Sequence, residues 1–512
     1  MERQVRGTKG QILLAAMRSV FPNAEAPCGG AGRCGRCRVR VRPKGSADVP
    51  LSKASAEEIR LLGARKIREG WRLACLARFT RTGVVRVELE ERAFFIPGGA
   101  GEPAGKSGVP SSVCAAVDIG TTTIACAFAD SASGRTVAQA AEANRQRSYG
   151  PDVVSRIEYG VRKPEHLAEM RALVRGQVRG LLDRLSCAAG GIRPQRIHIC
   201  GNTTMLHLWE GADLTGLSRM PFHPAFLESR ETVLEGDGGG MYVCRLLPGI
   251  SPFVGADIAA GIIARGLHAA SGRPELLVDI GTNGEIVLAS AGRILATATA
   301  AGPAFEGVSV SCGMPAVDGA VDRVSWRDGQ FAFSTLGGLS PAGFCGSGLL
   351  DLLACLRRAS LLDENGALTA DSEPGGERAF LLPSDPPLRF SQADVRQLQL
   401  AKGAIAAGIR ILCRNADVPL ADVGRVSLAG SFGSRLSAES ALTAGLIPAE
   451  LAGRIEPAGN TALAGTLMTA LDPDALDLCI ATAAKVRVID LSCELEFPDA
   501  FVDAMRFPGP AE

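Results

Sequence analysis

Two stretches decide how this chain reads: 114-CAAVDIGTTTIACAFA-129 and 275-ELLVDIGTNGEIVLAS-290. Each sets VDIGT between two runs of small and apolar residues. Such runs predict buried strands, and the polar Gly/Thr interruption between them predicts a hairpin turn. The neighbouring motifs repeat in the same order. Each half supplies a strand–turn–helix unit, RIHICGNTTMLHL (196–208) and RVSLAGSFGSRL (425–436). Each then closes on a helix of small residues, FVGADIAAGIIARGL (253–267) and GNTALAGTLMTAL (459–471). Three paired features in one order predict two related α/β lobes, 113–272 and 273–512, the second ending in a C-terminal tail. A polar cleft is expected between them.

The turn residues carry a chemistry. Glycine and threonine in a β-turn offer backbone N–H groups and hydroxyls to phosphate oxygens. An aspartate closing the strand stands where it can hold Mg²⁺ or its waters, or orient an attacking water. One Asp-x-Gly-Thr is also ordinary turn chemistry. Two copies on repeated lobes, with LAGSFG in the second, resemble the nucleotide fold of acetate and sugar kinases, Hsp70 and actin, a pair of ribonuclease H-like α/β lobes. That resemblance implies two phosphate motifs facing each other, with a third motif against adenosine. It assigns Asp118, Thr121, Thr122 and Thr123 to phosphate and metal from one side. Asp279, Gly281, Thr282 and Asn283 take the same part from the other, and Gly430, Ser431 and Gly433 take the adenosine. Asp118 and Asp279 are then the catalytic carboxylates.

The N-terminal residues look different. CGGAGRCGRC (28–37) packs three cysteines and four glycines into ten positions, and Cys75 follows at a distance. A structural zinc site usually shows two short Cys-x2–4-Cys knuckles, and only Cys34–Cys37 fits. Disulfides are disfavoured in a reducing compartment, and unligated thiols remain a further reading. The spacing Cys-x5-Cys-x2-Cys, with Cys75 further on, resembles [2Fe-2S] ferredoxins, which have a β-grasp fold. By that resemblance Cys28, Cys34, Cys37 and Cys75 hold the cluster. Arg33 and Arg36 beside a net-negative cluster would favour its reduced form, or would simply face solvent. QILLAAMRSV (11–20) and ASAEEIRLL (54–62) predict helices, while RCRVRVRPK (36–44) and VVRVELEE (84–91) predict strands. Ferredoxin modules of this kind begin with a hairpin, and only about ten residues precede the first helix, so one strand is expected to be missing or to lie upstream. The module spans 1–92. Residues 93–112, of which 97–112 hold five glycines and three prolines, read as a flexible linker.

Composition narrows the class. The chain has 512 residues, 46% hydrophobic and 21% charged, as soluble globular proteins do. No apolar run is long enough for a transmembrane helix, and no membrane role is expected. Fifteen cysteines, mostly single within apolar segments, suit a reducing cytoplasm. Residues 1–92 carry 20 Lys/Arg against 9 Asp/Glu, a net +11, while the remainder is −10. A basic module can dock on nucleic acid, an acidic partner or its own acidic body, but no nucleic-acid reader motif accompanies it. Other features divide between readings. Cys345, at a helix start, is either a thiol of lowered pKa or an incidental one in a tight turn. Glu306 either supports the second phosphate region or belongs to a surface loop. The five histidines show no metal spacing and read as structural.

The cysteine module and the repeated lobes, with GNTTM, FVGADIAAG, AAGPAFEG, CGSGLLD, LQLAKGAIAAGI and LAGSFG, resemble the ATP-dependent reductive activators of corrinoid proteins. The resemblance runs to the C-terminal FPDAFVDAMRFP, although longer members carry an additional small domain where this chain has only the linker. It implies an ATP-hydrolysing iron–sulfur reductase that returns inactive Co(II) corrinoid to Co(I) in a methyltransferase system. It further implies a [2Fe-2S] cluster, ATP and Mg²⁺, a corrinoid protein as acceptor, and a low-potential donor such as ferredoxin or flavodoxin; it is compatible with a homodimer. Two other readings remain at this point. One is a small-molecule kinase with a fused redox sensor and Asp257 as general base; the other is an actin- or Hsp70-like ATPase with a structural cluster.

Overall fold

The structure, a computed structural model, describes residues 2–17, 20–21, 37–42, 49–88, 110–236, 240–369, 378–384, 387–430 and 436–509. Contacts divide the chain into two units, 1–93 with 145–159, and 94–144 with 160–512.

The first unit contains β1 (Glu2–Gly7), α1 (Leu13–Met17), β2 (Arg38–Arg42), α2 (Ala56–Arg68), β3 (Trp71–Leu73) and β4 (Gly83–Glu88). The strands form one sheet in the order β1-β4-β2-β3. Period-2 patterning is obeyed in β2, where Val39 and Val41 are buried between more exposed arginines. They pack with Val5, Leu13, Met17, Val85 and Val87. Among the described residues a single strand precedes α1, and it pairs with β4 along its whole length. Helix α2 starts on a capping box between Ser55 and Glu58. The Glu58 carboxylate, fully buried, also accepts Arg72 Nε at 2.9 Å, Arg72 Nη2 at 3.0 Å and the Leu73 amide at 3.0 Å. Burial pushes its pKa up, but Arg72 and the backbone donors outweigh that and hold it below the usual range. This pair ties α2 to the backbone that leads into Cys75.

The second unit begins with β5 (Val113–Ile119), β6 (Thr123–Asp130) and β7 (Thr136–Ala143). Helix α3 (Val153–Arg162) falls in the first unit through Tyr159, and the second unit continues with α4 (Pro164–Ala188), β8 (Pro194–Gly201), α5 (Thr203–Glu210), α6 (Thr215–Ser218), β9 (Arg230–Glu235), β10 (Met241–Leu246) and α7 (Ala256–Ala264). The second half opens the same way with β11 (Glu275–Ile280), β12 (Gly284–Ser290) and β13 (Arg293–Thr299). An insertion follows: β14 (Ala320–Arg327), β15 (Gln330–Thr335), β16 (Gly343–Phe344), α8 (Gly346–Arg358), β17 (Ala379–Leu382) and β18 (Leu388–Ser391); α9 (Gln392–Asn415) then takes the place against β12 and β13 that α4 holds against β6 and β7. The half closes with β19 (Arg425–Ala429), α10 (Ala438–Thr443), β20 (Ile455–Gly459), α11 (Thr461–Leu471), α12 (Pro473–Ala483), β21 (Arg487–Val488) and α13 (Phe497–Met505).

The duplication is visible in the sheets. One runs β7-β6-β5-β8-β10-β9, the other β20-β19-β11-β12-β13-β21. Without the edge strands β9 and β21, both read third, second, first, fourth, fifth. In each, the hairpin strands are antiparallel and the fourth and fifth run parallel to the first. Short turns force the antiparallel pairs, and the parallel neighbours need longer, helix-bearing returns.

The two closing helices meet between the sheets, α7 bordering β8 of the first as well as packing on the second. Val254 and the α7 residues Ile258 and Ile262 pack with Leu277 and Val287 of the second sheet. Helix α11 instead lies across β5, β6 and β8 of the first, where Thr469 Oγ1 meets His198 Nδ1 at 3.0 Å. The helices touch each other through small residues. A Cβ on Gly465 would lie 1.9 Å from the Ala260 carbonyl oxygen. At the chain end, α13 packs on α9, whose fully buried Lys402 donates to the Arg506 carbonyl and sits 4.6 Å from the Phe507 ring centre. Burial and then Arg357 push the Lys402 pKa down to about 7. Among the described residues no helix is long and apolar enough to cross a membrane.

Gly465→Ala should force α7 and α11 apart, at a cost of about 1–3 kcal/mol or more, and lower the thermal midpoint of the second unit. Glu58→Gln leaves Arg72 buried without its counter-charge and should destabilise the first unit by about 3–5 kcal/mol. Denaturant unfolding that leaves either variant at the wild-type midpoint would refute the corresponding role.

Candidate functional site

Both VDIGT turns open onto one pocket in the second unit. In the first, the Gly120 amide donates to the Thr123 carbonyl at 3.0 Å, and a Cβ on Gly120 would meet that oxygen at 2.6 Å. Asn144 holds the turn from the end of β7: its side chain donates to the Gly120 carbonyl, and its amide to that of Thr122, each at 2.8 Å. In the second turn the Gly281 amide donates to the Asn283 carbonyl at 2.9 Å. Asp118 and Asp279, next to last in β5 and β11, both line the pocket, together with Thr121, Thr122, Thr123, Gly281, Thr282 and Asn283. Gly430 joins them with φ +110°, and a Cβ there would lie 2.4 Å from the Ile280 carbonyl oxygen. Ser431 and Gly433 lie outside the described residues.

Two asparagines complete the site. Asn202 caps α5 and Asn460 caps α11, accepting the Met205 and Leu463 amides on Oδ1 at 3.0 and 2.7 Å. That leaves each Nδ2 free to donate elsewhere. Asn202 donates to Thr121 Oγ1 at 2.9 Å, and Asn460 to Asp118 Oδ2 at 2.8 Å. The signal for both is the triplet Gly-Asn-Thr, at 201–203 and 459–461. The sequence reading held both motifs without giving their asparagines a role.

The electrostatics are one-signed. Asp118, Asp257, Asp279 and Glu285 all line the pocket, Glu285 buried and the three aspartates half-buried with a face to the pocket opening. Burial pushes Asp118 up to about 6, against the Asn460 and Cys200 hydrogen bonds. Burial and the Asp118 charge push Asp279 up to about 7. Burial, then Asp118 and Asp279, push Asp257 up to about 8, and Glu285 is raised well above its usual value by burial, Asp257 and Asp279. Among the described residues they do not close into a three-ligand metal cage. Clustered carboxylates without such a cage suit Mg²⁺, which keeps several waters and binds one or two carboxylates plus phosphate oxygens.

Glu306 belongs to this pocket rather than to a bare surface loop, accepting hydrogen bonds from the Thr122 and Thr282 hydroxyls. Cys345 resolves the other way. It is buried at the start of α8, its thiol donates to the Val321 carbonyl at 3.4 Å, and burial pushes its pKa up. The histidine reading agrees with His207, which is bonded on both ring nitrogens, to the Thr203 carbonyl at 2.7 Å and the Ala225 amide at 2.9 Å.

In the first unit, Cys37 and Cys75 are buried with their sulfurs 3.1 Å apart, and the Cys75 amide points at the Cys37 sulfur at 3.4 Å. Two thiolates on one tetrahedral metal ion, with bonds near 2.3 Å, stand roughly 3.7 Å apart, so a small opening makes this pair one edge of a metal site. The pair fits half of a four-cysteine cluster site. Cys28 and Cys34 lie outside the described residues.

Residues 2–80 match the family described as 2Fe-2S iron-sulfur cluster binding domain, residues 113–270 the RACo middle region, and residues 273–511 the C-terminal domain of RACo, the ASKHA domain. The chain is 29% identical over 414 residues to the corrinoid activation enzyme RamQ of Eubacterium limosum, covering 76% of this chain and 69% of that one. It is 26% identical over 328 residues to a [Co(II) methylated amine-specific corrinoid protein] reductase of Methanosarcina barkeri, covering 57% of this chain and 59% of that one. A solved structure of a reductive activator for a corrinoid iron–sulfur protein superposes with a TM-score of 0.71 at 26% identity, over 99% of this chain and 97% of that one.

The raised carboxyls set a pH dependence. Between about pH 4 and pH 8 the folded chain keeps protons that the unfolded chain has lost, so each raised group withdraws stability as pH rises. Asp257→Asn removes one such group without changing its shape. Without Mg²⁺, the variant should gain thermal midpoint over the wild type, and the gap should widen from about pH 5 to about pH 8. Mg²⁺ should then stabilise the variant less than the wild type. A gap that does not change with pH would show that Asp257 ionises normally.

Proposed function

This chain belongs to the family of ATP-dependent reductive activators of corrinoid proteins, and on that footing we propose that it uses ATP to return a Co(II) corrinoid protein to Co(I) in a methyltransferase system. The observation that carries this reading is the joining of a ferredoxin-type cysteine pair and a two-turn phosphate pocket in one polypeptide. Residues 1–92 are the electron-carrying module, 93–112 the tether, and 113–272 and 273–512 the two ATPase lobes. A low-potential ferredoxin or flavodoxin is the electron source, and no step requires a second copy of the chain.

Cys28, Cys34, Cys37 and Cys75 hold the cluster in this scheme. When bound, it supplies a one-electron carrier of low potential, near −400 mV for plant-type centres. Each 59 mV of uphill gap lowers a one-electron transfer equilibrium tenfold, so reduction of a low-potential cobalt needs a coupled source of free energy. The pocket provides that coupling. Thr121, Thr122, Thr123, Gly281, Thr282 and Asn283 receive the phosphates, and Gly430, Ser431 and Gly433 border the adenosine. Asp118 and Asp279 hold Mg²⁺ and its waters, with Asn460 fixing the Asp118 carboxylate. Neutralising four clustered carboxylates with a cation gives nucleotide binding the free energy to shift the lobes between two arrangements.

Reduced protein, Mg-ATP and a Co(II) corrinoid protein, mixed anaerobically, should give Co(I) absorbance that depends on ATP. Asp118→Asn should lower ATP hydrolysis about a hundredfold and Co(I) formation with it. Cys75→Ser should abolish Co(I) formation while leaving Mg-ATP binding intact. Co(I) formation independent of ATP, or a phosphorylated small molecule formed without any corrinoid, would replace this reading with a kinase or a simple reductase.

A further inference from the structure

Glu306 has no assigned part in the scheme above, yet its carboxylate lines the pocket between the two turns. Oε2 accepts the Thr122 hydroxyl at 2.5 Å, and both oxygens accept the Thr282 hydroxyl at 3.1 Å. It therefore bridges the first-half turn to the second-half turn, using the hydroxyls that phosphate oxygens would take. The bridge is held from the protein side. Phe305 is 1% exposed in the core. Gly307 has φ +70° and lies so close to the next turn that a Cβ would meet the Met314 amide nitrogen at 2.4 Å. Further along, Ser311 is fastened to the Asp394 carboxylate at the start of α9 through its amide and its hydroxyl, each at 2.6 Å. The backbone around Glu306 is thus clamped, while its half-buried side chain keeps a route to solvent.

We propose that Glu306 is an intramolecular stand-in for the γ-phosphate, a specificity-determining clasp that a triphosphate must displace and a diphosphate need not. The proposal rests on reading the pocket as a nucleotide site, and does not depend on the identity of the electron acceptor. A carboxylate and a phosphoryl group cannot share the same two hydroxyl donors, and no lysine or arginine among the described lining residues would screen one anion from the other. With ATP, the γ-phosphate takes Thr122 and Thr282, and the Glu306 side chain turns away. With ADP, the hydroxyls stay on Glu306 and the bridge persists. The clasp therefore penalises ATP relative to ADP, and its re-formation after hydrolysis competes with the departing phosphate.

The test uses the full chain with Mg²⁺ and measures dissociation constants for a non-hydrolysable ATP analogue and for ADP by calorimetry. Glu306→Ala should bind the ATP analogue about tenfold more tightly, a change of about 1.4 kcal/mol, with a shift for ADP of less than about threefold. Glu306→Gln, which keeps the shape and one acceptor oxygen but not the charge, should fall between, and its unchanged thermal midpoint serves as the folding control. Equal shifts for both nucleotides, or an unchanged or weaker affinity for the ATP analogue in both variants, would overturn the clasp. If the wild type binds neither nucleotide, the reading of the pocket itself falls and the clasp with it. Binding with the expected discrimination but no Co(I) formation would overturn only the corrinoid reading.

Discussion

The close crossing of α7 and α11 is the constraint on which the site depends. At Gly465 there is room for nothing larger than hydrogen, because the Ala260 carbonyl lies where a Cβ would go. Each helix brings a pocket residue at its start. Asp257 sits in the first turn of α7, and Asn460 caps α11 and holds Asp118. Because α7 borders β8 of the first sheet while its Ile258 and Ile262 side chains pack on Leu277 and Val287 of the second, and α11 lies on the first, the two halves interlock at the pocket. Two independent lobes brought together by a linker would not tie the position of Asp257 to that of Asp118 in this way.

That interlocking also concentrates charge. Four carboxylates share one pocket: the Asp118 charge raises the proton affinity of Asp257 and Asp279, and those two raise that of Glu285. Such an arrangement is costly as a fully ionised cluster, so the binding of a cation there and the electrostatics of the fold are one problem. The hydroxyl donors around the carboxylates follow the same logic: Thr121 is held by Asn202, while Thr122 and Thr282 meet on Glu306.

The first unit solves a different problem with a single ion pair. Glu58 caps its own helix and takes both Arg72 and the Leu73 amide, so one buried carboxylate positions the turn that carries Cys75. A buried pair of this kind adds little to net stability, since desolvation offsets attraction, but breaking it is costly and the geometry it enforces is well defined. Its value here lies in placing a sulfur 3.1 Å from Cys37 across 38 residues of sequence.

Local patterning by itself determined the strands of both VDIGT hairpins, the alternation of β2, the turns between the hairpin strands and the duplication, because these depend on the period of apolar residues and on turn chemistry within a few positions. The ferredoxin-type cysteine spacing was equally legible. Tertiary structure alone decided the rest. Nothing local shows how α7 and α11 meet between the sheets, since two helices of small residues are apolar in the same way whichever surface they cover. Asn202 and Asn460 had no role legible in the sequence, because only the folded chain shows where their second donors point. Glu306 divided between two readings because its meaning lies in two hydroxyls, one of them 184 positions away. Cys345 is inert for a related reason: a helix start favours a thiolate, but burial opposes it, and only the folded chain shows that burial wins.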